Sequence, residues 1–424
     1  MFDAFISKLR LILKDKKLRN RILFVLGALF VFRLLAAIPI PGVDHVQLER
    51  FFSGNQFFGL LNIFSGGGLS NISIMMLGVA PYITSSIIMQ LLTMMSDKLK
   101  ALYHEEGEAG RKKFMMFSRY LTVPLAVVQG VSFIVLLQKQ GVIPGLSDFQ
   151  MITSIVAVVT GSLLLMWIGE LISEFGIGNG VSLIIFSGIV AGLPQGLSQV
   201  LLNYNVAQIP TYIAFLIVAL IIIFGVVIIT EAERPIPITY AKQMRGDKVY
   251  GGTSTYLPLR VNQAGVIPII FALSILLLPQ MAANFLVFVQ NNTVQTIVRW
   301  INTVTQNTLY YGIAYFVLVF LFTYFYTAVT FDPDTISKNL QRSGAFIPGV
   351  RPGESTAKHI GNVITRITLV GALFLGFIAV LPIIVQGFSG ITSLTIGGTA
   401  LLIAVSVVID LIKKIDAQVS MREY

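Results

Sequence analysis

The chain contains no cysteine, and charged residues make up only 12% of its 424 positions. The missing cysteine excludes a disulfide framework, a thiolate nucleophile and any cysteine-based metal site. Histidine is scarce as well: the three present, His45, His104 and His359, all fall between the apolar runs. Charge is too sparse for a soluble protein of this size, because 55% of the residues are hydrophobic and their surface could not be hidden from water. The composition is that of a polytopic membrane protein.

Several chemistries are absent with these residues. Proton pumps and ion-coupled transporters keep carboxylates or histidines inside the bundle. Here Glu170 and Asp410 sit near the ends of apolar runs, and Arg33 alone lies well inside one. At the outer end of its run, Arg33 reads as a snorkelling or structural cation. No paired aspartates, Ser–His arrangement or HExxH motif marks an intramembrane protease, and no GxxxxGK[ST] cradle marks a motor. The glycine-rich "GIGNG" (176–180) reads as a tight turn between two helices. No catalytic residue, cofactor or metal is expected. A passive conduit or binding scaffold remains. A secondary transporter of a small solute, or a scramblase-like scaffold without a continuous pore, stays open as an alternative.

What is there is a series of apolar runs of spanning length. They cover about 22–40, 72–95, 118–138, 152–172, 181–200, 211–230, 264–286, 309–331, 364–386 and 391–412. Ten spans put both termini on one side. Of the 30 Lys and Arg, 26 fall in the termini and in the connections after spans 2, 6 and 8. The other side holds only Arg50, Lys139 and Arg299. Such asymmetry predicts cytoplasmic termini, and it accounts for the net charge of +10 without invoking nucleic acid. Residues 1–21 read as an amphipathic helix on the cytoplasmic surface. A signal peptide is disfavoured, since no small-residue cleavage site follows a short apolar core. The spans divide into halves 22–205 and 206–412, followed by a tail at 413–424. Five spans each give the halves inverted topology, an arrangement suited to a midplane pathway.

Three connections stand out. Residues 57–64 are apolar but too short to cross, and they lead into "FSGGGLSNISI" (64–74), as in a half-helix with a flexible hinge. The long cytoplasmic connections 231–262 and 332–363 carry Tyr250, Tyr256, Phe346, Ile347 and Val350. Those side chains are expected to be exposed and to make the connections a docking surface rather than tethers.

The motifs "IPIPG" (38–42), "FSGGGLSNISI" (64–74), "PYITSSIIMQLL" (81–92), "GIGNGVSLIIFSGIVAGLP" (176–194), "LPLRVNQAGVIPIIFA" (257–272), "SGAFIPGVRPGESTA" (343–357) and "GGTALLIAVSVVID" (397–410) resemble those of the SecY family of protein-conducting channels, in order and over nearly the whole chain. The resemblance implies an all-α membrane protein in the bacterial plasma membrane, with ten transmembrane helices in two inverted five-helix halves. The halves form a clamshell hinged at the connection between spans 5 and 6. It makes residues 57–71 a re-entrant plug, carried over to Phe64, Ser65, Gly66, Gly67, Gly68, Leu69, Ser70 and Asn71. It carries an apolar pore ring over to Val79, Ile83, Val181, Ile185, Ile270 and Ile403. Val79/Ile83 and Val181/Ile185 are i, i+4 pairs, so each pair shares a helix face. Spans 2 and 7 would line a lateral gate that releases membrane segments sideways into lipid. Arg245, Lys248, Arg260, Arg342 and Arg351 would dock the SecA motor ATPase or the ribosome. Implied partners are the SecE clamp subunit and SecG, with signal sequences and unfolded polypeptide as cargo. Nucleic acid would be met only as ribosomal RNA.

Overall fold

The computed structural model describes residues 15–40, 72–104, 106–139, 141, 143, 145, 147–202, 209–240, 243–245, 248–250, 254–286, 291–389 and 397–423. The plug residues 57–71, residues 1–14 of the amphipathic segment 1–21 and residues 203–208 of the connection between spans 5 and 6 lie outside the described residues, whereas residues 16–21 belong to the first helix.

Helix α1 (Lys16–Ala36) starts where the Asp15 carboxylate accepts hydrogen bonds from the backbone of Lys17 and Leu18, and it ends with Arg33 in its last turn. A cation there faces the negative end of the helix dipole, which fits the structural reading of that arginine. The next helices are α2 (Ala80–Met95), α3 (Asp97–His104), α4 (Gly107–Lys139), α5 (Asp148–Phe175), α6 (Gly180–Leu202) and α7 (Ile209–Glu231). Ser147 and Gln150 form a reciprocal capping box at the start of α5. Then come α8 (Ile267–Leu286), α9 (Asn292–Gln306), α10 (Thr308–Thr330), α11 (Pro333–Arg342), α12 (Glu354–Ser389) and α13 (Gly397–Glu423).

Each of the ten apolar runs falls on a helix. Among the described residues, four stretches are long and apolar enough to cross a membrane on their own: Gly107–Gln138, Asp148–Phe175, Thr308–Arg342 and Glu354–Leu381. Gly180–Pro194, Leu216–Glu231 and Ile267–Leu276 are shorter apolar helices. The boundaries moved most at span 2, where α2 opens only at Ala80. Residues 72–79 are turns, with Ile72 and Gly78 at positive φ. Ile40 donates to the Ile72 carbonyl at 2.9 Å and Ile74 to the Ile38 carbonyl at 3.1 Å, forming a short antiparallel bridge. Ser162 of α5 donates to the Gly78 carbonyl at 2.9 Å. These partners let non-helical backbone lie buried in the bundle.

Buried hydroxyls inside the helices bond to their own backbone one turn back. Thr84, Thr122, Ser274, Thr323 and Thr327 all donate to the carbonyl four residues earlier, at 2.7–2.9 Å. Outward, α7 exposes Leu216, Leu220, Ile221 and Phe224, a face that suits lipid and not water.

The long connections are not irregular. Strands β1 (Glu233–Tyr240) and β4 (Ser254–Arg260) pair antiparallel, and β5 (Ala345–Phe346) joins the other edge of β1. A second, smaller hairpin joins β2 (Gln243–Arg245) to β3 (Lys248–Tyr250). β5 pairs only with Thr239 and Tyr240, so Pro235 and Pro237 fall where β1 is paired on one side alone and a missing N–H is tolerated.

One apolar cluster runs through α1, α2, α5, α6, α7, α8, α10, α12 and α13. Leu18, Ile177 and Val419 form a separate small cluster, bringing the start of α1, the turn between α5 and α6 and the end of α13 together. Ile40, Ile72, Leu137 and Ile143 form another cluster, from segments expected on the opposite side.

Candidate functional site

All six ring positions belong to the large apolar cluster: Val79, Ile83, Ile185, Ile270 and Ile403 are buried, and Val181 is partly buried against the others. The first pair is held by the opening of α2, where the Ile83 amide donates to the Val79 carbonyl at 3.0 Å, the first helical hydrogen bond. The i, i+4 relationship therefore holds although Val79 stands at the cap. The second pair is set by the glycine turn. Gly178 takes φ +93°, as the "GIGNG" reading requires. A Cβ on Gly180 would strike the Gly169 carbonyl, so α5 and α6 approach as closely there as glycine permits. Ile270 lies in the first turn of α8, whose Ser274 hydroxyl donates to the Ile270 carbonyl. Among the described residues no Asp, Glu, Lys or Arg is fully buried. The six ring side chains themselves are aliphatic and carry no hydrogen-bonding group, so they can seal against a chain without holding it.

Helix α8 packs on both α2 and α4, so the two helices that the resemblance assigns to a gate are neighbours. Two features here were not found by sequence reasoning. Gly161 of α5 faces the 72–79 segment so closely that a Cβ would strike the Ile74 carbonyl. Asn262, buried ahead of α8, donates from Nδ2 to the Gly265 carbonyl at 3.2 Å and sets the entry to α8, with Gly265 at φ +61°. A glycine in the middle of an apolar span was the available signal for the first. The second carried no signal beyond the "VNQAG" motif.

The docking positions lie on the sheet and its supporting helices. Arg245 and Lys248 are paired in the backbone register of the β2–β3 hairpin, their side chains lying outside the described residues. Arg260 pairs with Glu233 across β1–β4, Nε to Oε1 at 3.3 Å. Arg342 ends α11, where it complements the helix dipole. Arg351 is exposed, and its backbone carbonyl accepts from the buried Thr356 hydroxyl at 2.9 Å. Gly349 and Gly353, both at positive φ, shape this turn. One expectation fails: Ile347 is buried, not exposed, because the turn after β5 folds it onto Ile236, Leu259, Ile360 and Ile364. Val350 is partly buried against the same cluster, Phe346 is half-buried, and Tyr256 is exposed. The side chain of Tyr250 lies outside the described residues. The connection is thus a folded platform with its own core.

A family model described as SecY matches residues 73–412. The chain is 41% identical to the protein translocase subunit SecY of Mycobacterium bovis, with 100% of this chain and 99% of that protein covered. This chain belongs to the SecY family. The SecY of Streptomyces galbus is likewise 41% identical, over 96% of each chain, and that of Synechocystis is 40% identical over 96% of this chain and 93% of its own. The fold matches a solved protein-conducting channel with a TM-score of 0.66 at 18% identity, covering 97% of this chain and 94% of that one. It also matches a SecY channel whose plug domain stabilises the closed state and maintains a membrane seal, with a TM-score of 0.65 at 18% identity and the same coverage. Sec61 in the canine ribosome–channel complex matches with a TM-score of 0.61 at 17% identity, again over 97% and 94%. The SecY fold is therefore established over nearly the full chain, and the inward-facing aliphatic positions belong to a membrane protein of that family.

Proposed function

We propose that this chain is the pore-forming subunit of a bacterial protein translocase, passing unfolded polypeptides across the plasma membrane and releasing apolar segments sideways between α2 and α8. The single observation that carries the reading is the full-length match to SecY translocase subunits. The convergence of all six ring positions in one buried apolar cluster supports it.

In this reading the aliphatic ring closes around nothing at rest and around the cargo in transit. A narrow apolar constriction dewets and stops ions without a charged filter. The same side chains give an extended polypeptide no hydrogen bond to linger on. The segment 41–71 carries the plug, and the bridge between Ile38–Ile40 and Ile72–Ile74 fixes the base from which it moves. The chain has no phosphate cradle, so the drive comes from a partner. The platform of β1, β4, β5 and α11, with the β2–β3 hairpin, receives it, whether a SecA-type motor or a ribosome, through Arg245, Lys248, Arg260, Arg342 and Arg351. SecE clamps the halves and SecG attaches beside them. Both termini are cytoplasmic.

The test is site-specific crosslinking. A single cysteine replaces Ile270 in this cysteine-free chain, and a second is placed in a stalled secretory polypeptide. A disulfide that forms only with cargo in transit is the expected result. Its absence in an inserted, folded protein means that the cargo is not a polypeptide or that α8 does not face it.

A further inference from the structure

Helix α9 was not foreseen as an element, and the channel reading gives it no task. It lies between α8 and α10 and packs on both. Asn291 caps its start by accepting from the Thr293 amide, and Asn307 is at once its C-cap and the N-cap of α10. The helix packs against both neighbours in the connection between spans 7 and 8, which the cation count assigns to the outer side.

Its surface is divided in three. Val298 is buried against the bundle at 3% exposure. Asn292, Thr296, Arg299 and Thr303 recur at helical spacing along an exposed polar face. Between these, Ile297 and Trp300 stand one turn apart, and Trp300 is 68% exposed. The chain then runs without a break into α10, whose first turns expose Leu309, Tyr310 and Ile313. The exposed apolar residues of α9 are thus followed directly in the chain by those of a stretch long and apolar enough to cross a membrane.

We propose that α9 is an interfacial helix, seated at the headgroup–acyl boundary of the outer leaflet, and that it fixes the depth of α8. Tryptophan is the side chain that favours this boundary, with an apolar body and one N–H for the headgroup region. The neighbouring polar face keeps Arg299 on the water side. A protein partner is the weaker occupant, since a stable interface needs about 800 Å² per side and one tryptophan with one isoleucine supply a fraction of that. The anchoring stands whether or not the cargo is a polypeptide. Only its consequence for a gate at α8 rests on the channel reading.

The two tryptophans of the chain, Trp167 and Trp300, make the test direct. The full-length Trp167→Phe variant, reconstituted in vesicles, leaves Trp300 as the sole fluorophore. Lipids brominated near the headgroup should quench it about twofold more than lipids brominated near the chain ends, and aqueous iodide should quench it weakly. Strong iodide quenching with none from bromolipid would place α9 in water. Insensitivity to both would mean protein cover, and preferential quenching from the chain ends would mean burial in hydrocarbon; each overturns the proposal. Ile297→Asn in the same background should shift Trp300 emission towards the water value while circular dichroism stays unchanged. No shift in that variant also counts against the seating.

Discussion

The Lys413 ammonium nitrogen lies 2.8 Å from the Glu231 carboxylate, tying the last helix of the chain to the end of α7. Helices α7 and α13 thus finish at the same end of the bundle. The cluster of Leu18, Ile177 and Val419 adds the start of α1 and the turn between α5 and α6 to that end. The cation-rich start of α1, the end of α7 and the last helix meet there, as expected if this end faces the cytoplasm.

That arrangement predicts an accessibility pattern. A cysteine replacing the exposed Ala417 should react with a membrane-impermeant maleimide in inverted vesicles and not in intact cells. A cysteine replacing the exposed Asn292 should react only from the cell exterior. The opposite pattern would invert the orientation while leaving the fold untouched.

Gly161→Ala tests the buried turn segment before α2. The added methyl has no room beside the Ile74 carbonyl, so α5 or residues 72–79 must shift. Overpacking of this kind costs roughly 1–3 kcal/mol. The melting temperature in detergent should fall. Resting ion conductance should rise, because Val79 is carried on the segment that moves. Gly27→Ala, with open space around it, is the control expected to show neither change.

The sequence revealed most where a single physical rule acts over many residues. Apolar length located the stretches that overlap helices, four of which are long and apolar enough among the described residues to cross a membrane on their own. It revealed least where tertiary contacts decide. Span 2 reads as helix from residue 72, but the bridge to residues 38–40 and the Ser162 hydroxyl hold its first eight residues in turns. Ile347 sits in a polar, proline-rich stretch that reads as exposed, and only the strand pairing of β5 turns it inward. The ring positions could not be chosen from composition, since every span offers aliphatic residues. The family resemblance selected them, and the apolar cluster gathers them.

The platform separates a binding effect from a folding effect. Arg351 uses only its backbone carbonyl in the turn, and its side chain is exposed. Arg351→Glu should leave membrane insertion and melting unchanged while motor-driven export falls. Ile347→Ala removes a buried side chain and should cost roughly 2–5 kcal/mol within the platform. Protease sensitivity of the 231–262 connection should then rise together with the export defect. Normal export by Arg351→Glu would remove that residue from the docking surface.

The seal itself can be tested by polarity at constant fold. Ile83 and Ile270 are 6% and 5% exposed on α2 and α8, inside the buried apolar cluster. Replacing both with serine puts hydroxyls into a ring that is otherwise aliphatic. A barrier to ion passage lowered by about 1.4 kcal/mol raises resting leak about tenfold, and such a rise is expected in planar bilayers. Leucine at both positions keeps the surface aliphatic and should leave the leak low. Leu220→Ser on the exposed face of α7 introduces the same hydroxyl towards lipid and should also leave it low. A leak that rises equally with Leu220→Ser would point to general loosening of the bundle. An unchanged leak in the double serine variant, with normal insertion, would place the constriction on other faces of these helices. The pattern that supports the ring is a rise confined to inward positions, graded by side-chain polarity and not by volume.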